Sequence, residues 1–132
     1  ARRHIFNLMF QNEFNKEINT HESIETYRNE YENFERKDIL FIKNEYTGIL
    51  DNVEKIDSII DKFSIGWSVD RLSTVDKAIL RIAVYEIMFD DDIPNKVSVN
   101  EAVELAKEFS EDKAPSFING VLGKVVRYKE AN

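Results

Sequence analysis

The scarcity of glycine and proline constrains the fold of this chain more than any other feature of its sequence. Its 132 residues include four glycines and two prolines. Sandwiches, barrels and many-stranded sheets need a turn every few residues, and these two residue types supply many turns. Because 42% of the chain is hydrophobic, it can form a globular core without metal or disulfide support. The sequence therefore predicts a single all-α domain.

Apolar residues recur at helical spacing along most of the chain. The spacing predicts helices over about residues 3–14, 24–34, 36–53, 56–63, 75–89, 98–109 and 115–125, with a brief helical turn at 69–72. The polar segment 15–19 is interpreted as a loop. In total we expect about seven or eight helices.

Local signals predict where the helices of the second half begin. Ser73 and Asp76 form a capping box in front of an almost entirely apolar helix, which is therefore expected at the centre of a bundle. Ser98 and Glu101 are interpreted as a second capping box that opens the next helix. Pro115 fits the first turn of the last helix.

The charge and the cysteine count limit the class of protein. The formal net charge is −7, and nucleic-acid affinity comes mostly from neutralised phosphates, so strong stand-alone binding to RNA or DNA is not expected. The absence of cysteine excludes disulfides and thiolate metal sites and fits a reducing cytosol. Since the sequence shows no signal peptide and no membrane-spanning apolar stretch, we expect a cytoplasmic protein.

Sequence motifs that carry enzyme chemistry are missing. The chain has no phosphate-binding glycine loop, nucleophile elbow or zinc-protease motif. Its histidines, His4 and His21, stand alone, which favours surface or capping roles over metal binding. Gly120 and Gly123 form a GxxG string inside a predicted helix, where close helix packing is the favoured interpretation. No catalytic residue, cofactor or metal is expected.

Four segments of the chain, in order, resemble one protein family. The segments 75–87, 93–94, 97–109 and 117–122 together closely resemble the NusB family of bacterial transcription antitermination factors. The similarity is close over about residues 67–126. It is looser in the N-terminal half, where Arg2, Arg3 and the apolar helix ending at residues 8–11 carry it.

The resemblance implies two packed helical subdomains, about residues 1–66 and 67–132, and no catalysis. NusB-like proteins bind boxA RNA together with NusE, a small basic ribosomal protein. The pair joins an RNA polymerase antitermination complex that supports ribosomal RNA synthesis. An acidic adaptor that grips RNA only with a basic partner would carry negative charge, as this chain does.

The resemblance also implies an RNA-binding set, which consists of Arg2, Arg3, Phe10, Lys113 and Phe117. The two arginines stand for an arginine-rich segment that meets phosphates in the family. Phe10 and Phe117 either stack on bases or anchor the core. Many relatives carry a lysine where this chain has Ser116, and Lys113, nearby in the loop, is expected to supply the missing phosphate contact.

On the partner side, the resemblance implies that Asp76 and Arg81 lie on a helix that faces NusE and RNA, with Asp70 a weaker candidate. Asp76 can cap its helix and face the partner at the same time. The alternative for Arg81 is a buried ion pair with Glu86 or Glu101.

Two other functions compete with this interpretation. The first is the NusB-like helical module that some RNA cytosine methyltransferases carry before a catalytic domain. The chain of 132 residues leaves no room for that catalytic domain. The second is a protein–protein adaptor without RNA contact, which the net charge of −7 and the short arginine segment favour. A boxA titration with and without NusE separates these possibilities.

Overall fold

The computed structural model describes residues 2–14, 36–66 and 69–132, with the backbone alone at 12–14, 36 and 70. These ranges are helical and contain no strand, which confirms the all-α prediction. They hold a short 3-10 helix, Val69–Arg71, and six α-helices: α1 (Arg2–Phe14), α2 (Arg36–Asp51), α3 (Val53–Phe63), α4 (Thr74–Phe89), α5 (Asn95–Phe109) and α6 (Ala114–Ala131). The six α-helices of the described residues are fewer than the expected seven or eight. The helix predicted at 24–34 and the loop at 15–19 lie outside the described residues.

Helix α4 is the centre of the fold, as its apolar circumference predicts. It contacts α1, α2, α3, α5 and α6. Its buried residues are Ala78, Ile79, Leu80, Ile82, Ala83, Val84, Glu86 and Ile87. The Ser73 hydroxyl accepts the Asp76 N–H at 3.1 Å, which confirms the serine half of the predicted capping box, whereas the Asp76 carboxylate binds the Ser110 hydroxyl. Buried residues from both sides of residue 66 form one continuous core, while the division into two subdomains stays a prediction.

The predicted second capping box is wrong. Helix α5 begins at Asn95, directly after Pro94, and Ser98 lies inside the helix. The Ser98 side chain is buried, and its hydroxyl donates to Glu86 Oε1 at 2.8 Å. Glu101 is exposed on the helix surface and far from its first residue. Ser98, which the local pattern assigns to a helix end, therefore forms a hydrogen bond between α5 and α4 instead.

The predicted close packing at Gly120 and Gly123 is also wrong. A Cβ added at Gly120 would meet nothing within 4 Å, and one at Gly123 would meet only the Arg127 side chain at 3.7 Å. The close approach occurs instead at Gly48 in α2, where an added Cβ would collide with the ring of Tyr85 in α4. Gly48 therefore lets α2 lie directly against the central helix.

No helix in the described parts of the chain combines the length and hydropathy needed to cross a bilayer.

Candidate RNA and partner interface

Arg2 is anchored to the central helix. Its Nε lies 3.0 Å from both carboxylate oxygens of Glu86. The Arg2 side chain is 21% exposed, whereas that of Glu86 is fully buried. The guanidinium also lies over the Phe41 ring, 5.7 Å from its centroid. Arg2 thus holds the start of α1 on α4 and presents only part of its charge to solvent.

A second buried carboxyl group lies beside this ion pair. Glu45 of α2 is 3% exposed. Burial, together with the neighbouring Glu86 carboxylate, raises the pKa of Glu45 far above its ordinary value, although the charge of Arg2 acts in the opposite direction. Glu45 is therefore protonated at neutral pH. Sequence reasoning missed this cluster, and the available signal was a glutamate placed among the apolar positions of α2.

Arg3, unlike Arg2, lies at the surface. Its side chain is 60% exposed, and its Nη2 donates to Glu108 Oε2 at 2.5 Å. The guanidinium lies 5.8 Å from the centroid of the Phe109 ring. Arg2 and Arg3 line one side of a cleft of about 300 Å³ between α1 and α5, and Glu101, Glu104, Leu105 and Glu108 line the other.

A row of aromatic rings runs beside this cleft. Phe10 is half-buried, with its ring centroid 6.2 Å from that of Phe6. Phe6 is buried and stacks on Phe109 with centroids 4.8 Å apart. The Phe109 ring is 37% exposed. Phe109 thus belongs to the same surface as Arg3 and Phe10. The predicted RNA-binding set omits this residue.

Lys113 and Phe117 lie where α5 passes into α6. Lys113 is exposed and immediately precedes α6, and the Phe117 N–H donates to its carbonyl at 3.2 Å. Phe117 is half-buried and packs against the core, so part of its ring faces solvent. Ala114 and Pro115 open the helix, which confirms the predicted first-turn proline. Ser116 is exposed beside Phe117.

Asp76, the predicted partner residue, connects the start of α4 to the aromatic row. Its Oδ1 accepts a hydrogen bond of 2.6 Å from the Ser110 hydroxyl. Ser110 directly follows Phe109 at the end of α5. The half-buried Asp76 therefore holds the start of α4 against the end of α5. Asp70 contributes its backbone to the 3-10 helix Val69–Arg71, and its side chain lies outside the described part.

Arg81 does not pair with Glu86 or Glu101, so that part of the sequence interpretation is wrong. Its Nε and Nη2 donate to the two carboxylate oxygens of Asp57, each at 2.8 Å. The Glu86 carboxylate is already occupied by Arg2 and Ser98. These two hydrogen bonds between Arg81 and Asp57 hold α3 against α4.

Within residues 2–14, 36–66 and 69–132, no three His, Asp or Glu side chains are grouped as a metal site requires. The surface instead combines cations, carboxylates and half-exposed rings. Such a set suits noncovalent binding of a phosphodiester chain or a charged polypeptide.

Known proteins resemble this chain in both sequence and fold. The NusB family model matches residues 1–127. The transcription antitermination protein NusB of Agathobacter rectalis is 42% identical over 123 residues, 93% of this chain and 94% of that protein. The solved structure of T. maritima NusB matches with a TM-score of 0.86 at 31% identity, covering 96% of this chain and 87% of that chain.

A crystal structure of the antitermination factors NusB and NusE in complex with double-stranded RNA also matches. Its TM-score is 0.87 at 27% identity, covering 96% of this chain and 93% of the matched chain. Sequence and fold thus lead to one assignment: the chain belongs to the NusB family of transcription antitermination proteins.

Proposed function

We propose that this chain is a transcription antitermination factor that binds boxA RNA together with NusE, within an RNA polymerase complex in the cytoplasm. The observation that carries the proposal is the juxtaposition of an exposed arginine, Arg3, with the partly exposed ring of Phe109, which the buried Phe6 ring connects to the half-buried Phe10. The related structure that holds NusB, NusE and RNA together supports it. No catalytic step is part of this function.

In this proposal the cations bind phosphates and the rings bind bases. Arg3 and Lys113 are the exposed cations of the predicted set, while Arg2 contributes the exposed part of its guanidinium. Phe10 and Phe117 each keep part of a ring at the surface, where a splayed base of single-stranded RNA can stack. A small number of cations gives weak binding by the protein alone.

The proposed partner surface centres on Asp76, with Asp70 beside the start of α4. A net charge of −7 attracts a basic protein and repels RNA at long range. The bound partner would supply positive charge near the phosphates. Because Arg81 is held by both oxygens of Asp57, its proposed contribution is to fix α4 against α3 and so to position the surface.

A titration of a labelled boxA RNA oligonucleotide, with and without NusE, tests the function. We expect weak binding by the chain alone and much tighter binding with NusE present. The adaptor without RNA contact is the second candidate, because Arg2 and Arg3 are each paired with a glutamate of the same chain. NusE binding with no gain in RNA affinity would favour that adaptor.

Two substitutions at Asp76 locate the partner surface in the same titration. Asp76→Asn keeps an oxygen that can accept the Ser110 hydroxyl and loses the charge, whereas Asp76→Lys reverses the charge. The lysine variant is expected to lose most NusE affinity, and its RNA binding with it, while the asparagine variant loses less. If the folded lysine variant binds NusE as well as the parent, the partner surface lies elsewhere.

A further inference from the structure

The arginine that is most available to an RNA phosphate is already bound by a carboxylate of its own chain. Arg3 and Glu108 are 60% and 42% exposed, so their ion pair lies in solvent. A pair of this kind is weak, because water and salt screen it. A phosphate can therefore displace the carboxylate, although the carboxylate still reduces the affinity that the phosphate gains.

Glu108 differs from the other glutamates of the cleft in what it contacts. Glu101, Glu104 and Glu108 lie on one face of α5 and all line the cleft. Glu108 binds Arg3, whereas Glu104 binds Lys107 at 3.1 Å on its own helix. All three carboxylates repel an incoming phosphate, but among them only Glu108 binds a cation that lines the cleft, so it also competes with the phosphate for Arg3.

We propose that Glu108 is an intramolecular competitor of RNA, which occupies Arg3 in the free protein and is displaced by a phosphate of single-stranded RNA. The inference rests on the proposed function and adds a residue that sets RNA affinity. The Phe109 ring keeps the Arg3 guanidinium at the rim of the cleft after displacement, since its attraction for the cation does not depend on Glu108. The stacked Phe6 ring supports Phe109 from within the core.

Glu108→Gln and Glu104→Gln form a matched pair of variants. Each removes one negative charge from the same face of α5, and only the first releases Arg3. Binding of labelled boxA RNA is measured by fluorescence anisotropy, with and without NusE. We expect Glu108→Gln to tighten binding by about 3- to 10-fold, and Glu104→Gln by about twofold or less.

The same two substitutions are then made in an Arg3→Gln protein. With the arginine absent, Glu108→Gln should gain no more affinity than Glu104→Gln. Equal gains from both variants in the parent protein, or an undiminished advantage of Glu108→Gln without Arg3, would overturn the competitor role while leaving RNA binding intact. A parent protein that fails to bind boxA RNA even with NusE would instead refute the proposed function.

Discussion

Glu45 is a residue whose protonation is set by its position against α4. Its carboxyl group is buried beside Glu86, and the resulting rise in pKa means that the folded state holds a proton that the unfolded state releases. At pH values above the ordinary glutamate pKa, the folded state therefore binds more protons than the unfolded state. Its free energy of unfolding falls as pH rises through this range, until the folded pKa is passed.

We therefore expect Glu45→Gln to remove this part of the pH dependence. The amide stays neutral, so the variant gains stability relative to the parent as pH rises from 6 to about 9. Urea unfolding at several pH values measures the effect, with the exposed Glu54→Gln in α3 as the control. Parallel pH profiles for the parent and Glu45→Gln would show that Glu45 is ionised in the folded protein.

At the scale of single helices, two glycines differ in how closely a neighbouring side chain approaches them. Gly120 lies in α6 with open space around its Cα, whereas Gly48 lies in α2 against the Tyr85 ring. Gly120→Ala should raise the free energy of unfolding by about 0.5–1 kcal/mol, because alanine is the better helix former. Gly48→Ala should lower it by roughly 1–3 kcal/mol through overpacking. Urea unfolding of both variants measures these changes. An unchanged free energy of unfolding in Gly48→Ala would mean that the Tyr85 ring moves aside freely.

Helix α4 could be predicted from the sequence because local and global signals agree there. Ser73 caps it, and apolar residues cover most of its circumference. The start of α5 could not be predicted in the same way, because Ser98 satisfies the capping pattern but its hydroxyl bonds Glu86 across the helix interface. Local pattern gives no information about which distant group a side chain meets.

The candidate site, too, could be predicted from the sequence only in part. Sequence similarity placed Arg3, Phe10 and Asp76, and the structure gives each a surface or half-buried position. The partners of the charged residues could not be predicted, since Arg81–Asp57 and Arg3–Glu108 join distant parts of the chain. The exposure of Phe109 could not be predicted either, because the helical pattern identifies a face but not where the neighbouring helix ends.

For the whole molecule, net charge governs how RNA binding responds to salt. The chain carries −7, and the proposed surface offers only Arg2, Arg3 and Lys113 as cations. For single-stranded RNA the slope of log K against log salt is about −0.7 per neutralised phosphate, so a shallow slope of about −2 is expected for the protein alone. Anisotropy titrations over a salt series measure it. A slope that corresponds to six or more phosphates would reveal a basic surface that the proposed set lacks.

The packing of α1 on α4 has a consequence for the growing polypeptide. Helix α1 buries Ile5, Phe6, Leu8 and Met9, and it contacts the central helix. That helix leaves the ribosome only after about 75 more residues, which takes roughly 4–15 s at ordinary rates of synthesis. During this delay α2 can already cover part of α1, but the apolar residues that pack on the central helix have no native surface to cover them. Until the central helix emerges, this part of α1 is therefore open to chaperones and to aggregation.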